Sequence, residues 1–404
     1  MNQKMNVAAG ARIGVIDAIR GFAILGILFA NIQSWSGYKY IPYEMIATLP
    51  YYSLDGLFDA LQHWVVDGKF YAIFSILFGV GFGIQYNKNE ANELPFLKGY
   101  RRRMYYLLLF GVLHALFWSG DILTLYGLLI FLLIALRKVP TPKLLLLAVG
   151  LMLWFVIPHL LHLWYAPATE SVSNLAHKNY PDMSPQQLID GFGSGSWSEV
   201  FVLNLHNLYW RWIDFLPNGR MSRVLGLFVL GFYLARSNYF VEQAHKIRWI
   251  AIYGIVGLIL TYGAIAAGGN IHSWATAWSD AFAKLLVVGA QVILGLCYMS
   301  IIAWLYQSKA LHKILQPLTL IGRMAFTNYL LHSVIGVFIF YGVGLGHFGS
   351  MGLAQLWLLA LCIFIAQVVF SSLWLGYFKQ GPLEWLWRCL ASGKWPSNIR
   401  QRIE

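Results

Sequence analysis

Three polar residues sit inside the first apolar run of this 404-residue chain: Asp17, Arg20 and Asn31, within residues 16–31. At about 100° per residue they fall in one narrow stripe of a helix. A charge held at the centre of a membrane helix costs about 2.5–3.5 kcal/mol, so it needs a partner or a task. Asp17 and Arg20 have the i, i+3 spacing that pairs on a helix face. Arg20 also offers a guanidinium to a phosphate or carboxylate. Asn31 follows three turns on, about 16 Å along the same face.

Other segments carry groups suited to acid–base work. His114 precedes the turn Ser119-Gly120-Asp121, where Asp121 can cap the following helix or orient the imidazole as a general base. Lys69 opens another apolar run and is a second partner for Asp121; His63 lies just before it. The densest patch is Gly322-Arg323-Met324-Ala325-Phe326-Thr327-Asn328-Tyr329-Leu330-Leu331-His332, with Asn328 and His332 one turn apart. Near the end, Gly381-Pro382 starts a segment in which Glu384 and Arg388 are i, i+4, read as an interfacial helix. Gly79 and Gly83 form a GxxxG pair, a close-packing device. No phosphate-binding glycine loop, HExxH or Gly-x-Ser-x-Gly occurs. Cys297, Cys362 and Cys389 are scattered without metal spacing, so neither a metal site nor a disulfide framework is expected.

The elements that must position these groups are hydrophobic. The chain is 58% hydrophobic, only 11% charged, and carries a net charge of +12. Soluble domains carry roughly 25% charge, so an all-α, polytopic transmembrane bundle is expected. About ten spans are predicted, near residues 14–35, 68–87, 102–118, 121–137, 143–165, 221–237, 248–268, 281–306, 316–344 and 352–377, with the ninth open to a break at the glycines of 342–346. Lys and Arg concentrate in every second connection and both tails, which predicts cytoplasmic termini. The first span is read as uncleaved. Residues 1–404 form one integral membrane domain, with a cytoplasmic tail at 378–404. Segments 53–66 and 166–220 are extracytoplasmic and contain amphipathic helices able to roof a cavity. No soluble basic face is long enough for nucleic acid.

Several of these motifs together resemble the YeiB-like family of bacterial inner-membrane proteins (DUF418), whose function is not assigned. They are Asp17-Ala18-Ile19-Arg20-Gly21, Leu28-Phe29-Ala30-Asn31, Lys69-Phe70, Phe74-Ser75-Ile76-Leu77-Phe78-Gly79, His114 with Gly120-Asp121-Ile122-Leu123, the 322–331 patch and Gln380-Gly381-Pro382-Leu383-Glu384-Trp385-Leu386-Trp387-Arg388. More distantly, the chain is similar to transmembrane acyltransferases such as heparan-alpha-glucosaminide N-acetyltransferase. Those enzymes place a catalytic His eleven positions after an Arg in the first helix; here that spacing falls on Asn31, as the heparan enzyme also has Asn.

The resemblance implies a membrane acyltransferase that moves an acyl (acetyl) group from cytosolic acyl-CoA to an extracytoplasmic small-molecule, lipid or glycan acceptor, with a homodimer by analogy. In that scheme Asp17, Arg20, Arg323, Thr327, Asn328, Tyr329 and His332 bind donor or acceptor. His63 or His114 is the base, Asp121 supports it, and Asn31 and Lys69 steady the oxyanion. The alternatives are a transporter or flippase for an anionic metabolite or lipid, using the same groups to bind without chemistry, and a non-catalytic scaffold.

Overall fold

The computed structural model describes residues 2–164, 183–215, 219–268, 278–308 and 311–400, with side chains of the first helix described from residue 14. Among these the chain is all-α; the single β feature is an isolated bridge between Phe378 and Ile399. The helices used below are α1 (Asn2–Trp35), α2 (Tyr52–Leu61, running into a π turn, Gln62–Val66), α3 (Lys69–Lys88), α4 (Glu93–Phe117), α5 (Leu123–Ala135), α6 (Thr141–Leu153) and α7 (Val156–Trp164). They continue as α8 (Pro185–Ser194), α9 (Trp197–Asp214), α10 (Arg220–Arg236), α11 (Ile247–Ala266), α12 (Trp278–Gln307), α13 (Gln316–Arg323), α14 (Ala325–Phe340), α15 (Leu353–Tyr377) and α16 (Pro382–Ser392).

Six of the described helical segments are long and apolar enough to cross a membrane, or seven if the bent pair α13–α14 is one span. This is fewer than the ten expected from sequence. The difference lies in three helices: α4 is interrupted by charges, α5 has 13 residues and α10 has 17. The predicted ninth span is not continuous either. It bends by 84° at Met324, and the helix then ends at Phe340, just before the glycines expected to break it. The predicted fifth span holds as one apolar segment, Thr141–Leu161, although a short turn separates α6 from α7 within it.

Burial differs among the spans. The apolar windows of α1 and α12 are 67% and 61% buried, whereas that of α11 is only 11% buried and presents Ile252, Ile255, Leu258 and Ile259 outward. Central helices pack through glycine. A Cβ on Gly21 would strike the Leu318 carbonyl, and one on Gly322 the Asp17 carbonyl, so α1 and α13 touch backbone to backbone. Gly79 meets the Phe228 carbonyl and Gly231 the Ile76 carbonyl, which seats α10 on α3 through the close packing that a GxxxG pair favours. The α1–α13 contact brings Arg20 and Arg323 to the same end of the bundle.

Candidate functional site

At that end lies a cavity of about 760 Å³, within the size range of small-molecule sites. Four arginines line it: Arg20 from α1, Arg103 from α4, Arg323 from the end of α13 and Arg388 from α16. Arg20 Nη1 donates to Asp17 Oδ1 at 2.9 Å, so the pair expected from spacing forms. No carboxylate lies within ion-pair distance of Arg103, Arg323 or Arg388 among the described residues. The walls between the cations are aromatic, with Phe78, Phe82, Tyr100, Phe326 and Trp387. Such a surface suits a ligand with a flat ring and several oxyanions.

The helix α16 is a wall of this cavity rather than a surface anchor. Trp387 Nε1 donates to the Arg103 carbonyl at 2.7 Å, and the Arg103 guanidinium stacks 4.1 Å over the Trp387 ring. The i, i+4 pair of Glu384 with Arg388 does not close: Glu384 turns to α14 instead. Its Oε1 accepts from the Phe326 and Thr327 N–H groups (2.8 and 3.0 Å), and its Oε2 from the Thr327 hydroxyl. The break at Met324 exposes the first N–H groups of α14, and a carboxylate from another helix caps them. Desolvation pushes the Glu384 carboxyl above the usual range, against those hydrogen bonds.

Behind the cavity lies a hydrogen-bonded chain. Asp121 Oδ1 is 2.7 Å from His114 Nδ1, and His114 Nε2 is 2.8 Å from Ser333 Oγ. All three residues are buried. Asp121 meets both expected partners, since it also accepts from the Leu123 and Thr124 N–H groups at the start of α5. A carboxylate fixed by two amides orients an imidazole whose other nitrogen faces a hydroxyl; that is the constellation of nucleophile, base and orienting acid. Tyr329 separates chain and cavity. It lines the cavity, packs on the His114 ring at 5.4 Å and accepts from the Ile122 N–H at 3.4 Å.

The other residues singled out from sequence lie elsewhere. Asn328 Nδ2 donates to Ser371 Oγ at 3.1 Å and His332 Nε2 bonds Gln367 Oε1 at 2.7 Å, so these two tie α14 to α15. Thr327 joins the Glu384 cap. Lys69 does not reach Asp121; its Nζ donates to the His63 carbonyl at 2.8 Å. The His63 ring is exposed, 3.8 Å from Asp67. Asn31 is half-buried and lines neither cavity nor chain. Of the segment 166–220, residues 166–182 and 216–218 lie outside the described residues; the rest includes α8, closed by a Ser184/Gln187 capping box, and α9. Four features were not expected from sequence: Ser333, Arg103, Arg388 as a cavity group and Glu384 as a cap. The run Arg101-Arg102-Arg103 is a visible signal, but as a sequence it reads only as loop charge.

The family described as "Protein of unknown function (DUF418)" matches residues 234–394, which hold Arg323, Ser333, Glu384 and Arg388. The chain is 32% identical over 403 residues to "Uncharacterized protein YxaH" of Bacillus subtilis (strain 168), covering 95% of each. It is 27% identical over 406 residues to "Uncharacterized protein YeiB" of Escherichia coli (strain K12), covering 93% of this chain and 95% of that one. A protein of Bacillus acidopullulyticus described as "Uncharacterized 39.9 kDa protein in amylase 3'region" is 26% identical over 403 residues, 98% of this chain and 99% of that one. No solved structure matches. With a likeness that runs nearly end to end, the chain belongs to the DUF418 family, whose members include YeiB.

Proposed function

We propose that this protein is a membrane acyltransferase that takes an acyl group from a cytosolic acyl-CoA through Ser333. The observation that carries the reading is the Ser333–His114–Asp121 chain lying one aromatic ring from a four-arginine cavity. The arginines receive the phosphates, an aromatic wall receives the adenine, and the thioester extends past Tyr329. Ser333 Oγ attacks the thioester carbonyl carbon while its proton passes to His114 Nε2. The carbon–sulfur bond breaks, His114 gives that proton to the departing sulfur, and CoA thiol leaves with the acyl ester on Ser333. An acceptor hydroxyl or amine then attacks the ester, loses its proton to His114 and restores the serine hydroxyl. Asp121 stabilises the imidazolium at both stages.

The setting is the bacterial inner membrane, with ten crossings and both termini cytoplasmic. This is supported by three shorter helices, α4, α5 and α10, at the remaining predicted spans, and by basic residues at alternate connections. The test is thiol release from acetyl-CoA by purified protein. Wild type releases thiol, while Ser333→Ala and His114→Ala are slowed by about 10²–10⁴-fold yet still bind CoA. No release from acetyl or longer acyl-CoAs overturns transfer. CoA binding without release favours the second reading, transport, for which the 84° break beside the cavity is the supporting feature.

A further inference from the structure

A second group of arginines stands apart from the cavity. Arg236 ends α10 against the Arg137 and Val139 carbonyls, on the side of the basic connections. The opposite end of α10 carries Arg220 and Arg223, and Arg220 lies about 24 Å from Arg236 along the axis. Arg223 is 2% exposed, and its Nε and Nη1 have no hydrogen-bond partner. Arg220 stacks 3.9 Å over the Tyr71 ring, and its Nε is buried without a partner. Arg211 of α9 joins them: its Nη2 donates to the Gly120 and Asp121 carbonyls, at 3.1 and 3.3 Å. Desolvation, and next the neighbouring Arg220 charge, bring Arg211 down to about 10. Among the described residues no carboxylate lies within ion-pair distance of Arg220 or Arg223.

Two close guanidiniums, one fully buried and neither paired, are destabilising by themselves. Leaving a buried charge uncompensated costs several kcal/mol, and like charges side by side add repulsion. Elsewhere this chain pairs a less buried cation, as in Arg137 with Glu93. An arrangement that is unfavourable when empty becomes favourable when an oxyanion enters, because charge-assisted bonds to guanidinium are among the strongest available. The position is also specific. Arg211 holds the backbone of the turn that carries Asp121, the residue orienting His114. The group therefore borders the Asp121 end of the Ser333–His114–Asp121 chain.

We propose that Arg211, Arg220 and Arg223 form a second anion site that holds the phosphate oxyanion of the acceptor. Its role as acceptor site rests on the transfer reading; the binding itself does not. The phosphate can come from an anionic lipid headgroup or from a soluble phosphate ester, and the experiment separates the two. The melting temperature of the purified full-length protein in neutral detergent is measured alone, with phosphatidylglycerol, and with glycerol 3-phosphate. Stabilisation by the lipid alone identifies a headgroup, and stabilisation by the ester identifies a soluble phosphate; either supports the site.

In the ligand-free state Arg223→Met raises the melting temperature, because it removes a charge with no partner, and it abolishes the ligand-induced rise. Arg220→Gln, at a half-buried position, also abolishes that rise. Arg388→Gln, in the other cavity, keeps it. The proposal is overturned if neither probe stabilises wild type, if the rise survives Arg220→Gln, or if Arg223→Met lowers the ligand-free melting temperature, which would make Arg223 a structural cation. Failure of thiol release would not alter any of these readings, so the two claims fall separately.

Discussion

At the residue scale, Asp121 serves two neighbours at once: it orients the His114 ring and accepts the first N–H groups of α5. Substitution separates the two roles. Asp121→Asn keeps a good helix cap, so stability changes little, but it cannot stabilise an imidazolium. Thiol release should fall at least about 100-fold with CoA affinity unchanged. Asp121→Ala should in addition cost roughly 0.5–2 kcal/mol in unfolding free energy, because the α5 amides lose their acceptor. Such local pairings are what the sequence makes legible. Asp17 and Arg20 are three apart and His114 and Asp121 seven apart, and both pairs form, at 2.9 and 2.7 Å. Ser333 is hidden because it reaches His114 across 219 positions, and a serine in an apolar helix is ordinary until its neighbour is known. Asn328 and His332 mislead for the opposite reason: a shared face marks a shared partner, and here that partner is α15 rather than a ligand.

At the element scale, the helices are legible from hydrophobic runs and the 84° break is not. No proline stands at 324 or 325, and the bend is held by Glu384, which arrives from α16 some sixty positions on. Glu384→Ala should therefore loosen the α13–α14 joint and lower stability by about 1 kcal/mol. The same group sets a pH dependence. Its folded pKa stands above its unfolded value, so its stabilising contribution is present below the ordinary carboxylate range and is lost as pH rises through the raised value. Protonation also removes a negative charge from the cavity wall. Binding of CoA should tighten as pH falls through the raised Glu384 value, and Glu384→Gln should flatten that profile relative to wild type. The α1–α13 crossing is equally specific. Gly322→Ala places a methyl against the Asp17 carbonyl and should destabilise by about 1–3 kcal/mol, shifting Arg20 away from Arg323 and weakening CoA binding together with the fold.

For the whole molecule, composition and the charge pattern establish a helical membrane bundle, while the number of crossings depends on how α4, α5 and α10 sit in lipid. Three-dimensional packing supplies what no span count could: one end of the bundle gathers Arg20, Arg103, Arg323 and Arg388 around a single hollow, although 368 positions separate the first from the last. If that end faces the cytoplasm, single cysteines introduced at Ser392 and Gln380 should react with a membrane-impermeant maleimide in inverted vesicles and not in intact spheroplasts. The reverse pattern would place the cavity on the far side, where no acyl-CoA is found. The most direct test of acyl-CoA recognition is the affinity of purified protein for CoA, measured by calorimetry on wild type and on Arg103→Gln and Arg388→Gln. Each lost charge-assisted contact is worth roughly 1.5–3 kcal/mol, so each variant should bind about 10–100-fold more weakly. Wild-type binding that is undetectable, or that both variants retain in full, would contradict a CoA site in the four-arginine cavity.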